Sequence, residues 1–186
     1  MTLTTQTPTL TTSRLLLKAF TPEVYQEAFT QFTPEQQMEL FGCKTAKELE
    51  IEQDRFEKGM TTFNKTFLFF QLRDLHTNEM LGWCGFHTWY FPHHRAELFY
   101  MLNNETHRKH GLMTEALRTV LQYGFNEMQL ERVEAFVGKE NHASLALLQK
   151  FGFTYEGTFR NHYRINNINE DSLAYSLLKA EFTTTN

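Results

Sequence analysis

The most regular pattern of hydrophobic positions in the chain predicts a long α-helix that begins near residue 112. Apolar residues recur there at intervals of three and four, which is the spacing of one buried helical face. The positions on this face are Leu112, Met113, Ala116, Leu117, Val120, Leu121, Gly124, Phe125 and Met128. This helix is the most clearly marked element of the sequence.

Three further helices are predicted over residues 22–32, 45–59 and 141–152. Pro22 suits the first turn of the first one, and Thr45 has capping-box spacing to Glu48 at the start of the second. Asn141 is a good N-cap for the third, and Gly152 can end it. Residues 33–44 receive no assignment, although part of them could be helical.

Aromatic and β-branched runs between these helices predict seven strands. The strands cover residues 14–20, 67–73, 80–90, 95–102, 131–137, 153–164 and 172–178, and residues 166–171 form a polar turn. Strand–helix–strand units after residue 95 require at least one parallel pairing, whereas residues 67–102 resemble an antiparallel meander. The expected fold is α+β, with a mixed, mostly antiparallel central sheet of about seven strands flanked by about four helices.

Length and composition predict one globular domain over residues 1–186, with a core of about 14–180 and loose termini at 1–12 and 183–186. The net charge of −4 argues against a protein that binds nucleic acid or an anionic membrane through bulk charge. Cys43 and Cys84 are expected to be free thiols in a reducing compartment. With no long apolar run in the sequence, a cytoplasmic location is expected.

Residues 108–116 carry the clearest candidate chemistry, because they open the long helix shortly after a strand. Amides in the first helical turn have no intrahelical partner, and the helix dipole makes this end positive. Arg108 and Lys109 add positive charge, and Gly111 lets a ligand approach the backbone, so the segment could hold a diphosphate. Taken alone, the same residues fit a solvated basic turn equally well.

A second group of candidate binding residues follows about thirty residues downstream. Together, the two groups of residues resemble the GNAT superfamily of acetyl-CoA-dependent N-acyltransferases. The local sequence is similar to that of the RimJ/RimL-type branch of this superfamily. The resembling segments are Arg14–Leu17, Leu81–Gly82, Ala96–Leu98 with Tyr100, Gly111–Ala116, Asn141 with Ser144, Gly152–Phe153, Glu156–Gly157 and Asp171. Each segment alone is weak, and their order along the chain makes the set specific.

The resemblance implies a binding site for acetyl-CoA as co-substrate. Its diphosphate would be held by Arg108, Lys109, His110, Gly111, Leu112, Met113 and Thr114, and its pantetheine arm by Leu102, Asn103, Asn141 and Ser144. The strands over 95–102 and 131–137 would diverge to admit the thioester, and Ser144 would help to protonate the leaving thiolate. The chain departs from the family pattern at Met113, where a small residue is usual, and in a slightly longer segment before Gly111.

Deprotonation of the amine substrate requires a base or a water chain, because amines are mostly protonated at neutral pH. Glu97 is the first candidate for this catalytic role, although an outward-facing strand carboxylate or a partner for Arg95 explains it as well. The weaker candidates are His87, Tyr100 and Tyr163, and Glu115 and Glu156 are interpreted as structural.

The implied function is acetyl transfer to a primary amine, either a protein N-terminal amine or a small molecule, by direct transfer in a ternary complex. A non-catalytic GNAT-fold sensor of acetyl-CoA or CoA is the main alternative, and an RNA-associated scaffold a second one. His93, His94, His107 and His110 lack the carboxylate or cysteine ligands that would complete a metal site, so no metal is expected. A homodimer is possible, without a nucleic-acid or membrane partner.

Overall fold

One mixed sheet of eight strands forms the centre of the computed structural model, which describes residues 3–59, 61–62 and 65–183. The strands are β1 (Thr9–Thr11), β2 (Leu15–Phe20), β3 (Thr66–Asp74), β4 (Met80–Tyr90), β5 (Arg95–Leu102), β6 (Arg132–Val137), β7 (Thr154–Ile165) and β8 (Ile168–Leu178). The helices are α1 (Pro22–Gln31), α2 (Pro34–Phe41), α3 (Ala46–Glu57), α4 (Leu112–Asn126) and α5 (His142–Lys150). The expected α+β class is confirmed.

The order of strands across the sheet is β1-β2-β3-β4-β5-β6-β8-β7. Every neighbouring pair is antiparallel except β5 and β6, which are parallel and are connected through α4. The predicted parallel pairing is therefore confirmed. A short segment joins the end of β5 to the start of α4, and this segment carries the candidate chemistry.

Each face of the sheet packs against its own set of helices. The larger core lies under α4 and α5 and includes Leu98, Leu117, Leu121, Phe125 and Leu148. A second, aromatic core lies under α1, α2 and α3 and includes Phe20, Tyr25, Phe41, Phe67 and Trp83. Side chains alternate along β5, so Ala96, Leu98 and Tyr100 belong to the α4 side and Phe99 to the α1 side.

The N-terminal residues are more ordered than the sequence suggests. Thr9–Thr11 pair with β2 as an edge strand, so the expectation of a loose segment over residues 1–12 is wrong for these residues. Thr4 and Thr5 also donate hydrogen bonds to the carboxylate of Glu27 on α1. Polar threonines form this strand because its partner supplies the backbone pairing. Residues 1, 2 and 184–186 lie outside the described residues.

The unassigned residues 33–44 contain the additional helix α2. Thr33 and Gln36 form a complete capping box at its start, and Gly42, with φ of 72°, ends it in the left-handed region. At the start of α3 only half of the predicted capping box forms. The Thr45 side chain accepts from the amide of Glu48, but the Glu48 carboxylate accepts from the amide of Lys44 and not from that of Thr45. These caps fix the loop that joins the two helices.

The last hairpin has a shorter turn than the predicted residues 166–171. β8 begins at Ile168, and the turn contains only Asn166 and Asn167, with φ of 49° and 64°. Asparagine tolerates positive φ, which two-residue hairpins of this kind require at both positions. Ile168, Asn169 and Glu170 therefore extend the hairpin as paired strand.

Gly82 on β4 faces the backbone at the end of β5, where there is no room for a side chain. A Cβ at this position would overlap the carbonyl oxygen of Met101 and lie 2.9 Å from the Cα of Leu102. We expect Gly82→Ala to lower the free energy of unfolding by about 1–3 kcal/mol. Urea denaturation would measure the change, with Gly138→Ala as the control because a Cβ there meets no atom within 4 Å. Equal stability of the two variants would contradict the prediction.

Candidate active site

The N-terminus of α4 presents backbone amides toward solvent. Gly111 precedes the helix with φ of 76°, and Lys109 also has a positive φ of 64°. No described residue accepts a hydrogen bond from the amides of residues 109–114. Arg108, Lys109, His110 and Gly111 are exposed. The amides that the sequence assigns to diphosphate binding are thus available to an anion in the part of the chain that the structure describes.

Met113, at the position where the family usually has a small residue, packs against the core under α4. This contact leaves the side chain partly buried. The departure from the family pattern is therefore compatible with a binding loop that acts through its backbone.

The loop before α4 is held by an ion pair between Arg14 and Glu115. Both oxygens of Glu115 are used: Oε1 accepts from Thr12, Ser13 and the amide of Arg14, and Oε2 lies 2.7 Å from the guanidinium. Arg14 also donates to the carbonyl oxygen of His110 at 3.0 Å. Burial alone would raise the pKa of Glu115, but these hydrogen bonds outweigh it and lower the pKa to about 2. Glu115 is structural, as expected.

β5 and β6 stop pairing in the middle of the sheet. Their register contains three pairs and ends at Glu97 and Glu134, after which β5 continues to Leu102 and β6 to Val137 without pairing to each other. Leu102 is half-buried at the end of β5. The amide of Asn103 already donates to the carbonyl oxygen of Leu81 at 2.9 Å, so this amide is not free for a ligand.

Asn141 and Ser144 lie together at the start of α5. The side-chain oxygen of Asn141 accepts from the amide of Ser144 at 3.1 Å, which is the ordinary N-cap contact. Ser144 is half-buried and faces Tyr100 on β5. Burial raises the pKa of the Tyr100 hydroxyl, and hydrogen bonding with Ser144 acts in the opposite direction. Tyr100 and Ser144 therefore lie near each other on the α4 side of the sheet.

Glu97 lies on the opposite face of β5. Its side chain is only 15% exposed, and its Oε1 is 3.5 Å from Nε2 of His87. Burial and, to a smaller extent, the negative charge of Glu134 raise the pKa of Glu97, Lys65 lowers it, and the net result is a pKa of about 7. Arg95 binds Glu134 and not Glu97, so the interpretation of Glu97 as the partner of Arg95 is wrong.

The structure adds residues to this region that the sequence did not single out. Glu134 accepts hydrogen bonds from Arg95 and Arg132, and Arg132 also binds Glu156. Glu156 further accepts from the hydroxyl of Ser176, so it is structural, as expected. The alternation of β5 could have placed Glu97 and Tyr100 on opposite faces, but the partners of Glu134 depend on the register between distant strands.

Two grooves adjoin the candidate residues. One, of about 370 Å³, lies between α3 and the ends of β4 and β5, with Ile51, Met80, Met101 and Asn103 in its wall. The other, of about 850 Å³, is an open groove between residues 138–141 and 169–171. The first opens beside the end of β5 and is lined on its other side by residues of α3.

Other kinds of site have little support in the described residues. No group of three or more His, Cys, Asp or Glu side chains is arranged there to hold a metal ion. Cys43 is half-buried and Cys84 buried, and both are free thiols. No helix of the described chain is long and apolar enough to cross a membrane.

The fold and this site together define an N-acetyltransferase of the GNAT type. The chain belongs to the acetyltransferase (GNAT) domain family, whose pattern it matches over residues 14–154.

Three comparisons describe the similarity. The chain is 30% identical over 173 residues to the uncharacterized N-acetyltransferase YoaA of Bacillus subtilis, covering 92% of this chain and 97% of that one. It is 34% identical over 74 residues to the spermidine N(1)-acetyltransferase of Escherichia coli K12, covering 40% and 39%. A GNAT-family acetyltransferase from Bacillus anthracis has the same fold, with a TM-score of 0.66 at 25% identity, covering 94% and 100%.

Proposed function

We propose that the protein transfers an acetyl group from acetyl-CoA directly to a primary amine in a ternary complex. The observation that carries this proposal is the gap between β5 and β6, which has an exposed helix N-terminus on one side and a half-buried carboxylate on the other. A thioester entering from the α4 side and an amine entering from the α1 side would meet there. We also propose that the enzyme is RimJ/RimL-like.

The amides of residues 110–114 would hold the diphosphate, with Arg108 and Lys109 adding positive charge. Leu102 and Asn141 would contact the pantetheine arm. Acetyl-CoA supplies an activated acyl carbon, and the chain supplies backbone amides and side chains that bind it and move the protons. Because the amide of Asn103 is already bonded, its predicted contact with the arm would have to involve another atom of the residue.

Glu97 would take a proton from the ammonium form of the acceptor, directly or through water. A base is most effective when its pKa lies near the working pH, and the pKa of Glu97 is about 7. The amine nitrogen then attacks the acetyl carbon, the bond from this carbon to sulfur breaks, and the thiolate takes a proton. Ser144 and Tyr100 lie on the other face of β5, where they could deliver that proton.

The acceptor is a primary amine that reaches the α1 side of the sheet. The name of the spermidine acetyltransferase relative supports a small polyamine as the acceptor. The similarity of the sequence to the RimJ/RimL-type branch supports a protein N-terminus instead. A homodimer and a cytoplasmic location stay predictions.

The direct test is incubation of the purified protein with labelled acetyl-CoA and a panel of N-terminal peptides, polyamines and aminoglycosides. Transfer of label to at least one amine would support the proposal and would identify the acceptor class. Binding of CoA without transfer to any amine would favour the sensor alternative.

Reversing the charge at Arg108 and Lys109 tests the diphosphate site separately. In the double variant Arg108→Glu and Lys109→Glu, we expect the affinity for CoA to fall by roughly tenfold or more, because two attractive charges become repulsive at a helix N-terminus. The melting temperature should change little, since both side chains are exposed. Calorimetric titration with CoA measures the affinity, and Lys58→Glu, distant in sequence, is the control. Unchanged affinity would exclude this loop as the diphosphate site.

A further inference from the structure

Two carboxylates lie side by side where β5 and β6 stop pairing. Glu97 and Glu134 are register partners in the last pair of the two strands, and each side chain is 15% exposed. Directly paired positions of neighbouring strands point to the same face of a sheet. Two half-buried acids therefore share one site on the α1 side.

The two acids have different partners. Oε2 of Glu134 is 2.6 Å from Nη1 of Arg95, and its Oε1 is 2.9 Å from Nε of Arg132. Arg132 is itself fixed on its other side by Glu156. A carboxylate with one guanidinium on each oxygen carries its negative charge in a fixed position. Among the described residues, the ion-pair contact of Glu97 is with His87 alone, at 3.5 Å.

Other charged or titratable groups also face Glu97. His87 lies on β4, and its Nδ1 is bonded to the hydroxyl of Thr88 at 3.0 Å, which fixes the ring. Lys65, just before β3, lowers the pKa of Glu97, and Tyr163 on β7 has its own pKa raised by burial and by the charge of Glu97. None of these groups supplies a fixed negative charge to the site, as Glu134 does.

We infer that Glu134 is a positioning residue that acts through Glu97, and that its arginine-held charge sets the pH range in which Glu97 takes up and releases a proton. This inference rests on the proposed function, in which Glu97 is the base. A like charge on the neighbouring strand makes ionisation of Glu97 harder and so makes it a stronger base. The arginines limit this effect, because they partly neutralise Glu134.

The test follows the titration of Glu97 directly, by NMR of the protein with ¹³C-labelled glutamate carboxyls. The Glu97 signal is identified by its loss in Glu97→Gln. In Glu134→Gln its pKa should fall by about one unit or more, because the like charge is gone and two arginines remain. In Arg95→Gln the pKa should rise, because a positive charge is lost while Arg132 still holds Glu134. Exposed Glu50→Gln on α3 is the control, which should leave the titration unchanged.

Opposite shifts in the two variants would support the inference. An unchanged pKa in Glu134→Gln, or shifts in the same direction in both variants, would overturn it. If Glu134→Gln does not fold, Glu134→Ala replaces it, and the pKa of Glu97 should again fall, because the negative charge of Glu134 is removed in this variant too. Where acetyl transfer is measurable, the pH dependence of kcat should move with the NMR titration. Absence of transfer to any amine refutes the proposed function, whereas the NMR shifts decide the inference separately.

Discussion

Replacing Glu97 by glutamine is expected to lower kcat by about a hundredfold or more, which is the usual contribution of a positioned general base. In the wild-type protein the pKa of Glu97 is about 7, so the ionised, basic form becomes dominant as the pH rises through neutrality. The rate should therefore rise with pH through this range and then level off. In Glu97→Gln the part of the rise that belongs to Glu97 should disappear.

The measurement is kcat as a function of pH on both sides of neutrality, with the acceptor found in the labelling experiment at saturating concentration. Glu97→Asp is the matched variant, since it keeps a carboxylate but shortens the side chain. It should be slower than the wild type and still show the rise. A Glu97→Gln variant with the wild-type pH profile would exclude Glu97 as the base.

Replacing Glu115 by alanine is expected to lower the free energy of unfolding at neutral pH by about 2–3 kcal/mol, because four donors lose a charged acceptor. The folded-state pKa of Glu115 is lowered to about 2 from an ordinary value of 4.5. A group of this kind stabilises the protein above its unfolded-state pKa, and the stabilisation is lost as the pH falls toward the folded-state value. The difference between variant and wild type should thus shrink in acid.

Urea denaturation at neutral and acid pH measures this effect. Glu140→Ala serves as the control, because the Glu140 side chain is 81% exposed. The same loss of stability at both pH values would contradict the assignment of an ionised Glu115 as the acceptor. A further consequence is weaker CoA binding in Glu115→Ala, because Arg14 would lose the partner that holds it against His110.

The sequence predicted the elements whose periodicity is long and uninterrupted. Helix α4 begins at Leu112, as expected, because its apolar positions keep helical spacing over the whole face. β4 and β5 also have their expected bounds, since turn residues mark both ends of each. The parallel pairing followed from the strand–helix–strand order and needed no tertiary information.

The elements that were missed depend on partners outside their own segment. β1 is a short threonine-rich strand, and only its pairing with β2 distinguishes it from a loop. The box of Thr33 and Gln36 could have been read as the start of α2, but the helix is short and follows α1 closely. Local propensity is weak evidence for such elements.

The candidate site was predicted unevenly for the same reason. The amides near Gly111 follow from a local feature, a glycine at a helix start, and the structure leaves them available within the described chain. The bonded amide of Asn103 and the arginine partners of Glu134 depend on which strands become neighbours and in what register. Strand neighbours and their register cannot be inferred from the local patterns of a single sequence.

The contacts of Thr12, Ser13 and Arg14 with Glu115 connect the beginning of the chain to the first turn of α4. Proteolytic trimming that reached residue 14 would therefore remove the brace behind the proposed cofactor loop, although no residue of the loop itself would be lost. A bulky N-terminal fusion that pulled β1 from the edge of the sheet would act on the same brace. Changes to this polar N-terminal segment would then alter the affinity for CoA, although the segment lies outside the proposed cofactor loop.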